Sequence, residues 1–376
     1  MPSGGEREKS DPPERSDEDV DDLAPTSFRP VDSDAVAIPL VVRVADGSSR
    51  GTPPGGARVA AMSSEARERE TARATPPQPA RSAPSQGGAT PPQGARRPVR
   101  RPPSSVIATE ADARIYDQYV VPRYAAVFGA MLLRAFVAPS RPAVLDAACA
   151  TGYPSLEILR RADEHARVVA IDRSAALVEL ASRKALDAAG RRIFFRRGSL
   201  DELRFGDQVF DAVVMNLGLL ETPDPARFLR ECFRVIAPGG QLVATMPLAG
   251  TFQEILDLLG EVALKHDLAA VSDRVAALAE RYPTAAAAAA MLEAAGFERV
   301  GVAVDPFTLP FRSATEIFRD PVVRLVALDE WRWAAGSDEE GERLLGMVER
   351  ALETYFAGPF VLTVHAACAV GWRAAS

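Results

Sequence analysis

Short apolar segments alternate with helical patterns from about residue 110 to the end of the chain. Segments that are rich in Val, Ile, Leu and Phe and bounded by small or polar residues predict strands. Five such strands follow one another, at 143–148, 168–172, 191–197, 210–217 and 241–247. An alternation of strands with helical patterns predicts an α/β fold with a largely parallel, doubly wound sheet.

The regions on either side of these strands are mostly helical in pattern. One or two helices are predicted over 111–137, and an Ala-rich helical region is predicted over 251–289. A strand over 300–305 and a second helical region over 306–358 follow. The chain then returns as a final strand over 360–372, for which we predict an antiparallel direction.

The stretch Val144 to Leu156 carries the first chemical signal. It predicts a buried strand with Asp146 near its end, a loop of small residues, and the start of a helix. Small residues allow backbone N–H groups and a helix N-terminus to approach a ligand closely, although the same pattern also occurs in ordinary α/β packing. The next strand ends in Asp172, 26 residues beyond Asp146, where a doubly wound fold binds a ribose diol. Asp172 is also well placed to cap the helix that begins near Ser174.

Several ordered motifs together resemble one family. They are Val144-Leu145-Asp146, Cys149 to Gly152, Ile171-Asp172, Phe210 to Val213 and Ala237 to Gly240. In this order they resemble the class I S-adenosylmethionine-dependent methyltransferases, in the branch that includes the ubiquinone- and menaquinone-biosynthesis enzymes. The resemblance covers about Tyr116 to Arg373. It implies a Rossmann-like, doubly wound seven-stranded sheet, mostly parallel with an antiparallel last strand.

The resemblance also implies a cofactor, S-adenosyl-L-methionine, and residues that bind it. Asp146 would help to hold the methionine ammonium, Asp172 would bind both ribose hydroxyls, and Asn216 would position the amino acid end. The cofactor-binding residues carried over in this way are Asp146, Ala148, Cys149, Ala150, Gly152, Asp172, Arg173, Ser199, Leu200, Asn216 and Leu217. The chain departs from the family pattern at Ala148 and Ala150, where glycine is usual, and at Ser199, where an acid usually accepts the adenine amino group.

The acceptor side is less clearly marked in the sequence. Glu221 is the carboxylate of the loop after the fourth strand and is a candidate general base, with a solvated loop acid as the alternative. Tyr116, Tyr119 and Trp331 are candidates for the substrate pocket, with simple packing as the alternative. The resemblance implies methyl transfer to an oxygen or carbon atom of a small, partly apolar acceptor.

Composition divides the chain into two regions. Residues 1–105 contain Phe28 as their only aromatic residue, are rich in Pro, Gly, Ala and Arg, and hold fifteen acidic and fifteen basic residues. Such a segment cannot offset its ordering entropy, so we predict a disordered tail whose protein partner, if any, is unknown. Residues 106–376 form the predicted methyltransferase domain, with a cofactor core over about 140–250 and substrate-covering helices over about 106–138, 251–290 and 306–358. The formal net charge of −7 belongs to this domain and argues against nucleic acid as a partner.

The remaining composition predicts a cytoplasmic protein without a structural metal. The three cysteines, Cys149, Cys232 and Cys368, lie far apart and share no metal-ligand spacing. No secretory signal is visible at the N-terminus, and no apolar stretch is long enough to predict a membrane span.

Two other classes of function remain open at this point. A nicotinamide-dependent oxidoreductase would use a similar sheet, but the loop lacks a G-x-G-x-x-G pattern and the three lysines form no Tyr-x-x-x-Lys pair. A non-catalytic binding or regulatory protein would keep the fold and lose cofactor affinity. Ala148, Ala150 and Ser199 favour that second alternative.

Overall fold

The computed structural model describes residues 107–138, 142–336, 339–355 and 358–375. The predicted disordered tail, residues 1–105, lies outside these ranges.

A seven-stranded sheet organises the described part of the chain. Its strands are β1 (Ala143–Ala147), β2 (Arg167–Asp172), β3 (Ile193–Arg197), β4 (Phe210–Asn216), β5 (Ile236–Pro247), β6 (Glu298–Phe311) and β7 (Phe360–Trp372). Their order in the sheet is β3-β2-β1-β4-β5-β7-β6. β1 to β5 pair in parallel, and β7 runs antiparallel to both of its neighbours, β5 and β6. The predicted fold class is therefore confirmed.

The central strands are apolar because both faces of the sheet are covered. All five residues of β1 are buried, as expected for a parallel strand between two layers of helices. Successive residues alternate between two cores: Val144 and Val214 belong to one cluster, and Leu145 and Val213 belong to the other. The continuous apolar runs seen in the sequence follow from this double burial.

Helices connect and cover the strands. Before β1 lie α1 (Glu110–Ile115), a π-helical segment (Tyr116–Ala125) and α2 (Ala126–Ala135). Between the strands up to β5 lie α3 (Ser155–Arg161), α4 (Ala175–Lys184) and α5 (Pro225–Val235). The helices between β5 and β6 are α6 (Gln253–Lys265), α7 (Ala269–Ala279) and α8 (Ala285–Ala294), and those between β6 and β7 are α9 (Ala314–Arg319), α10 (Pro321–Val326), α11 (Leu328–Ala335) and α12 (Glu339–Tyr355).

Three details differ from the sequence prediction. β6 runs on to Phe311 where the pattern predicts an end at residue 305, because the strand lies at the edge of the sheet and tolerates Pro306 and Pro310. β5 begins at Ile236, five residues before its predicted start. The segment around Pro122, which has no amide hydrogen to donate, is π-helical and was predicted only as helix.

The helices of the described ranges include none that has both the length and the apolar character needed to cross a membrane.

Candidate active site

A cavity lies at the carboxyl edge of the sheet, where β1, β2 and β4 end side by side. Such an edge is the usual ligand site of an open α/β sheet. The ends of these strands supply Ala148 and Ala150 after β1, Asp172 from β2 and Asn216 from β4. The cavity therefore lies where the sequence motifs predict a cofactor site.

The predicted site residues fall into two groups in the structure. Those that line the cavity are Tyr116, Ala148, Ala150, Asp172, Arg173, Leu200, Asn216, Leu217 and Glu221. Those that lie behind or beside its lining are Tyr119, Asp146, Cys149, Gly152, Ser199 and Trp331.

The loop after β1 has an unusual backbone. Ala148, Ala150 and Gly152 have φ angles of 71°, 45° and 89°, all in the region that glycine adopts most easily. The amides of Ala148 and Cys149 both donate to the carbonyl oxygen of Ile171, at 2.9 Å each, and so hold the loop against the end of β2. The two alanines therefore occupy positions where the backbone does favour glycine.

Asp172 is fixed by backbone hydrogen bonds. Its Oδ2 accepts a bond from the amide of Ala150 at 3.0 Å, and its Oδ1 accepts one from the amide of Ser174 at 2.9 Å. The cap of α4 is supplied by Ser174, whose Oγ accepts from the amide of Leu177. Each oxygen of Asp172 keeps a further lone pair for a ligand in the cavity. Burial raises the pKa of Asp172, and its backbone hydrogen bonds act in the opposite direction.

Asp146 lies beneath the loop and is fully buried. Its Oδ2 accepts a hydrogen bond from Ser155 Oγ, and its Oδ1 has no hydrogen-bond partner among the described residues. Burial raises the pKa of Asp146 to about 7, and the nearby charge of Asp172 adds to this effect. A buried carboxyl group with an unpaired oxygen fits a cation on the cavity side of the loop, because a cation would compensate its charge.

The other loop residues without a surface on the cavity have structural neighbours. Cys149 is fully buried, and burial raises the pKa of its thiol well above the usual value. A Cβ atom added to Gly152 would lie 3.2 Å from Leu156 and 3.4 Å from Ala181, so this glycine packs closely against neighbouring side chains.

The loop after β4 joins the cavity to the leading helices. The Nδ2 of Asn216 donates to the carbonyl oxygen of Ala125 at 3.1 Å, and its Oδ1 accepts from Thr245 Oγ1 at 2.7 Å. The side chain of Asn216 thus ties β4 to β5 and to the π-helical segment. The next residue, Leu217, lines the cavity with a φ of 69°.

Glu221 lines the cavity as one half of an ion pair. Its Oε2 accepts from Arg173 Nη2 at 2.8 Å. Desolvation raises the pKa of Glu221, while the guanidinium groups of Arg281 and Arg173 lower it. Beside this pair, a shallow depression contains Ser199 and shares Arg173 and Glu221 with the cavity. The Oγ of Ser199 accepts from the amide of Asp201 at 3.1 Å.

The three aromatic candidates lie in different surroundings. Tyr116 lines the cavity, and burial together with the nearby carboxylates of Asp172 and Glu221 raises the pKa of its phenol. Tyr119 is exposed on the outer side of the same segment. The structure places Trp331 in the hydrophobic core, where its ring lies edge-on to Phe252 at a centroid distance of 5.7 Å.

The structure adds a polar cluster that the sequence pattern did not reveal. Glu330 of α11 accepts hydrogen bonds from Arg281 Nη1 on one carboxylate oxygen and from Tyr282 Oη, at 3.1 Å, on the other. All three residues line the cavity. Arg281 lies in the turn after α7, 49 positions before Glu330, so no local motif marks them.

Within the described ranges, no group of three or more His, Cys, Asp or Glu side chains is arranged to hold a metal ion.

Comparison with known proteins shows which family the chain resembles. The family described as "Methyltransferase domain" matches residues 144–240. A demethylmenaquinone methyltransferase of Lactiplantibacillus plantarum is 36% identical over 101 residues, which cover 27% of this chain and 43% of that protein. The 2-phytyl-1,4-naphtoquinone methyltransferase of Synechococcus elongatus is 30% identical over 165 residues, which cover 42% of this chain and 71% of that protein.

Solved structures align with low similarity. Phosphoethanolamine N-methyltransferase 2 of Haemonchus contortus, solved with S-adenosyl-L-methionine, aligns with a TM-score of 0.43 and 14% identity over 71% of this chain and 57% of that one. The chain spans 43% of the length of the Lactiplantibacillus plantarum protein and 53% of the demethylmenaquinone methyltransferase of Lactococcus lactis, which is about half of each.

Proposed function

The chain belongs to the class I S-adenosylmethionine-dependent methyltransferases of the quinone-biosynthesis type, and we propose that it methylates a small, partly apolar, quinone-like acceptor. The observation that carries this proposal is the cavity at the carboxyl edge of the sheet. We assign the loop backbone and the carboxylate of Asp172 to a cofactor end of its lining, and the apolar side chains with the polar cluster to an acceptor end.

The residues at the first end fit the cofactor. Asp172 offers carboxylate lone pairs for a vicinal diol, and the buried charge of Asp146 favours an ammonium group above the loop. Ala148 and Ala150 expose backbone with small side chains. In this proposal the depression beside Leu200 and Ser199 receives the adenine, with Ser199 in the place of the acid that usually follows the glycine.

The residues at the second end suit an acceptor with an apolar body. Val120, Leu220, Pro247, Leu325 and Val326 contribute to that part of the lining. The bound cofactor supplies an electrophilic methyl group, so the protein has to orient the acceptor in line with it and exclude water. Orientation of this kind contributes on the order of 7–11 kcal/mol to lowering a barrier. Desolvation raises the pKa of Glu221 above that of a free carboxylate despite the ion pair with Arg173, and its role as a general base remains a prediction.

Relatives support the nature of the acceptor. The proteins named above act, by their names, on demethylmenaquinone and on 2-phytyl-1,4-naphtoquinone. A prenylated naphthohydroquinone is therefore the acceptor that we propose to test first, with methylation at carbon or oxygen. The cytoplasmic location predicted from the sequence stays a prediction.

Calorimetric titration of the full chain separates this function from its alternatives. We expect S-adenosylmethionine to bind and NADH not to bind, and we expect isotope-labelled methyl to appear on 2-prenyl-1,4-naphthohydroquinone. Replacing Asp172 with Ala should weaken S-adenosylmethionine binding by at least about tenfold, because hydrogen bonds to a charged group contribute roughly 1.5–3 kcal/mol. The D187A variant, altered at an exposed acid, should bind as the wild type does.

The contrary results are equally specific. Binding of NADH in place of S-adenosylmethionine would favour the oxidoreductase. Binding of neither compound, or binding of S-adenosylmethionine without transfer to any acceptor in a cell extract, would favour a non-catalytic protein.

A further inference from the structure

The cluster of Arg281, Tyr282 and Glu330 lies on the part of the cavity wall that the cofactor assignment leaves unused. Glu330 has 8% of its surface exposed, and the side chains of Arg281 and Glu330 are 14% and 10% exposed. The surrounding lining includes Val120 and Val326. A charged pair in such surroundings is costly to desolvate and is weak evidence of a stabilising role, so a ligand is the better explanation for its position.

The hydrogen bonds in the cluster have a direction. Tyr282 Oη donates its proton to Glu330 Oε2, which leaves the phenol oxygen free to accept a hydrogen bond from a ligand hydroxyl. Arg281 donates from Nη1 to Glu330 and from Nη2 to the carbonyl oxygen of Leu220, at 3.0 Å. The guanidinium thus lies between the β4 loop, next to Glu221, and α11.

We propose that Tyr282 and Glu330 together remove the proton from an acidic hydroxyl group of the acceptor, with Arg281 stabilising the oxygen that becomes negative. The inference rests on the proposed methyl transfer and extends it to named residues and to a substrate class, phenols and enols. The acceptor O–H bond breaks and its proton moves to Tyr282 Oη, while the Tyr282 proton moves to Glu330 Oε2. The acceptor keeps the electron pair, Glu330 becomes neutral, and its proton later passes to solvent.

The charges around Glu330 agree with this role. Burial raises the pKa of Glu330 to about 7, the Arg281 charge and the Tyr282 hydrogen bond lower it, and the charge of Glu221 raises it. Other titratable or charged groups near α11 include Tyr124 from the π-helical segment, Arg274 from α7, which donates to the carbonyl oxygen of Ala334, and Glu342 from α12, which pairs with Arg332. A depression beside α11, lined by its Asp329 and Arg332, also contains Asp112, Arg319 and Arg324. A carboxylate with this pKa can take up and release a proton near neutral pH.

Three variants test the proposal. E330Q keeps the size of the side chain and removes the proton acceptor, and Y282F keeps the ring and removes the relay hydroxyl. E342Q is the matched control, since Glu342 forms an exposed ion pair with α11 at 3.2 Å and does not line the cavity. Thermal unfolding of each variant shows whether it folds. If E330Q does not fold, the Y282F variant alone tests the proposal.

The first measurement does not depend on methyl transfer. It uses 4-nitrophenol, whose ionised form absorbs visible light, bound to the protein in the presence of S-adenosylhomocysteine. We expect wild type and E342Q to shift the bound phenol about tenfold toward its ionised form, as a nearby positive charge and a base do. E330Q and Y282F should lose this shift.

The second measurement is the pH profile of methyl transfer to 2-prenyl-1,4-naphthohydroquinone. At neutral pH, kcat of E330Q should fall by about 100-fold with little change in KM, and the loss should shrink at high pH as the acceptor ionises without help. A purely structural role of Glu330 would lower the rate equally at every pH.

The two measurements separate failure of the inference from failure of the proposed function. The inference is overturned if the wild type does not ionise bound nitrophenol, if both cluster variants ionise it normally, or if E330Q loses the same fraction of activity at every pH. A nitrophenol shift that depends on Glu330, without any methyl transfer in the wild type, would support the hydroxyl site and reject the proposed acceptor.

Discussion

At the scale of single residues, the buried carboxyl group of Asp146 lowers the stability of the fold when it is ionised, and the same charge suits a cationic ligand. Its pKa of about 7 in the folded chain lies above the value of 3.8 for a free side chain. Below the unfolded pKa the group is protonated in both states. As pH rises toward 7 the unfolded chain ionises first, so the free energy of unfolding falls.

The D146N variant tests this linkage. Asn cannot ionise, so the stability of D146N relative to wild type should rise by roughly 2–4 kcal/mol between pH 4 and pH 8. Urea unfolding of both proteins at several pH values measures the difference, with S-adenosylmethionine absent. A difference that stays constant with pH would show that the pKa of Asp146 is the same in the folded and the unfolded chain.

Ala148 and Gly218 are coupled by their close approach. A Cβ atom built on Gly218 would lie 2.5 Å from the Cβ atom of Ala148 and 3.2 Å from the carbonyl oxygen of Ala147. G218A should therefore destabilise the fold by about 1–3 kcal/mol. A148G should be nearly neutral, because relief of its positive φ offsets the added flexibility of glycine.

The double variant A148G/G218A should recover at least about 0.5 kcal/mol relative to the sum of the single changes. Urea unfolding measures this coupling. G260A is the control, since nothing lies within 4 Å of the added Cβ atom in α6, and it should be neutral or stabilising. Strict additivity would mean that the loop moves apart without cost.

At the scale of elements, sequence patterns predicted what is local and missed what depends on neighbours. The strands were recognisable because burial on both faces makes them continuously apolar. The extension of β6 to Phe311 was not recognisable, because Pro306 and Pro310 normally exclude a strand. They are tolerated here because β6 lies at the edge of the sheet. The π-helical form around Pro122 likewise has no clear sequence signal.

The leading helices are fastened over the cavity by a few polar contacts. Asp117 accepts hydrogen bonds from Thr151 Oγ1 in the β1 loop and from Lys184 Nζ in α4. The carbonyl oxygen of Ile107 accepts from Ser174 Oγ, two residues after Asp172. The segment therefore depends on the same loops that line the cavity.

Replacing Asp117 with Ala should loosen this segment without unfolding the domain. We expect faster amide hydrogen exchange over residues 107–125 and weaker S-adenosylmethionine binding, with a loss of global stability of about 1 kcal/mol or less, because the Lys184 pair is partly exposed. Hydrogen-exchange mass spectrometry measures the first effect, and E179A, which breaks an exposed pair on α4, is the control. Unchanged exchange in D117A would show that packing alone holds the segment.

At the scale of the whole molecule, the two ends of the cavity differ in how far the sequence revealed them. The cofactor end is built by loops that directly follow strands, so Asp172 and the Ala148 loop could be located from motif order. The acceptor end brings Arg281 and Tyr282 against Glu330, and that meeting depends on how α7 and α11 pack. Trp331 illustrates the same limit: its type suits a pocket or a core, and only the packing of α11 decides between them.

The location of the core and the cavity in the chain leads to a prediction about residues 1–105. The described residues already contain the sheet, both hydrophobic clusters and the cavity lining from Ile107 onward. Deleting residues 1–103 should therefore leave the melting temperature and its rise on adding S-adenosylmethionine nearly unchanged, because ligand stabilisation depends only on affinity for the folded state. Differential scanning fluorimetry of the full and shortened chains, with and without S-adenosylmethionine, makes the comparison. A lower melting temperature without ligand would show that the deleted residues pack on the domain, whereas a smaller ligand-induced rise alone would show that they contribute to the cofactor site.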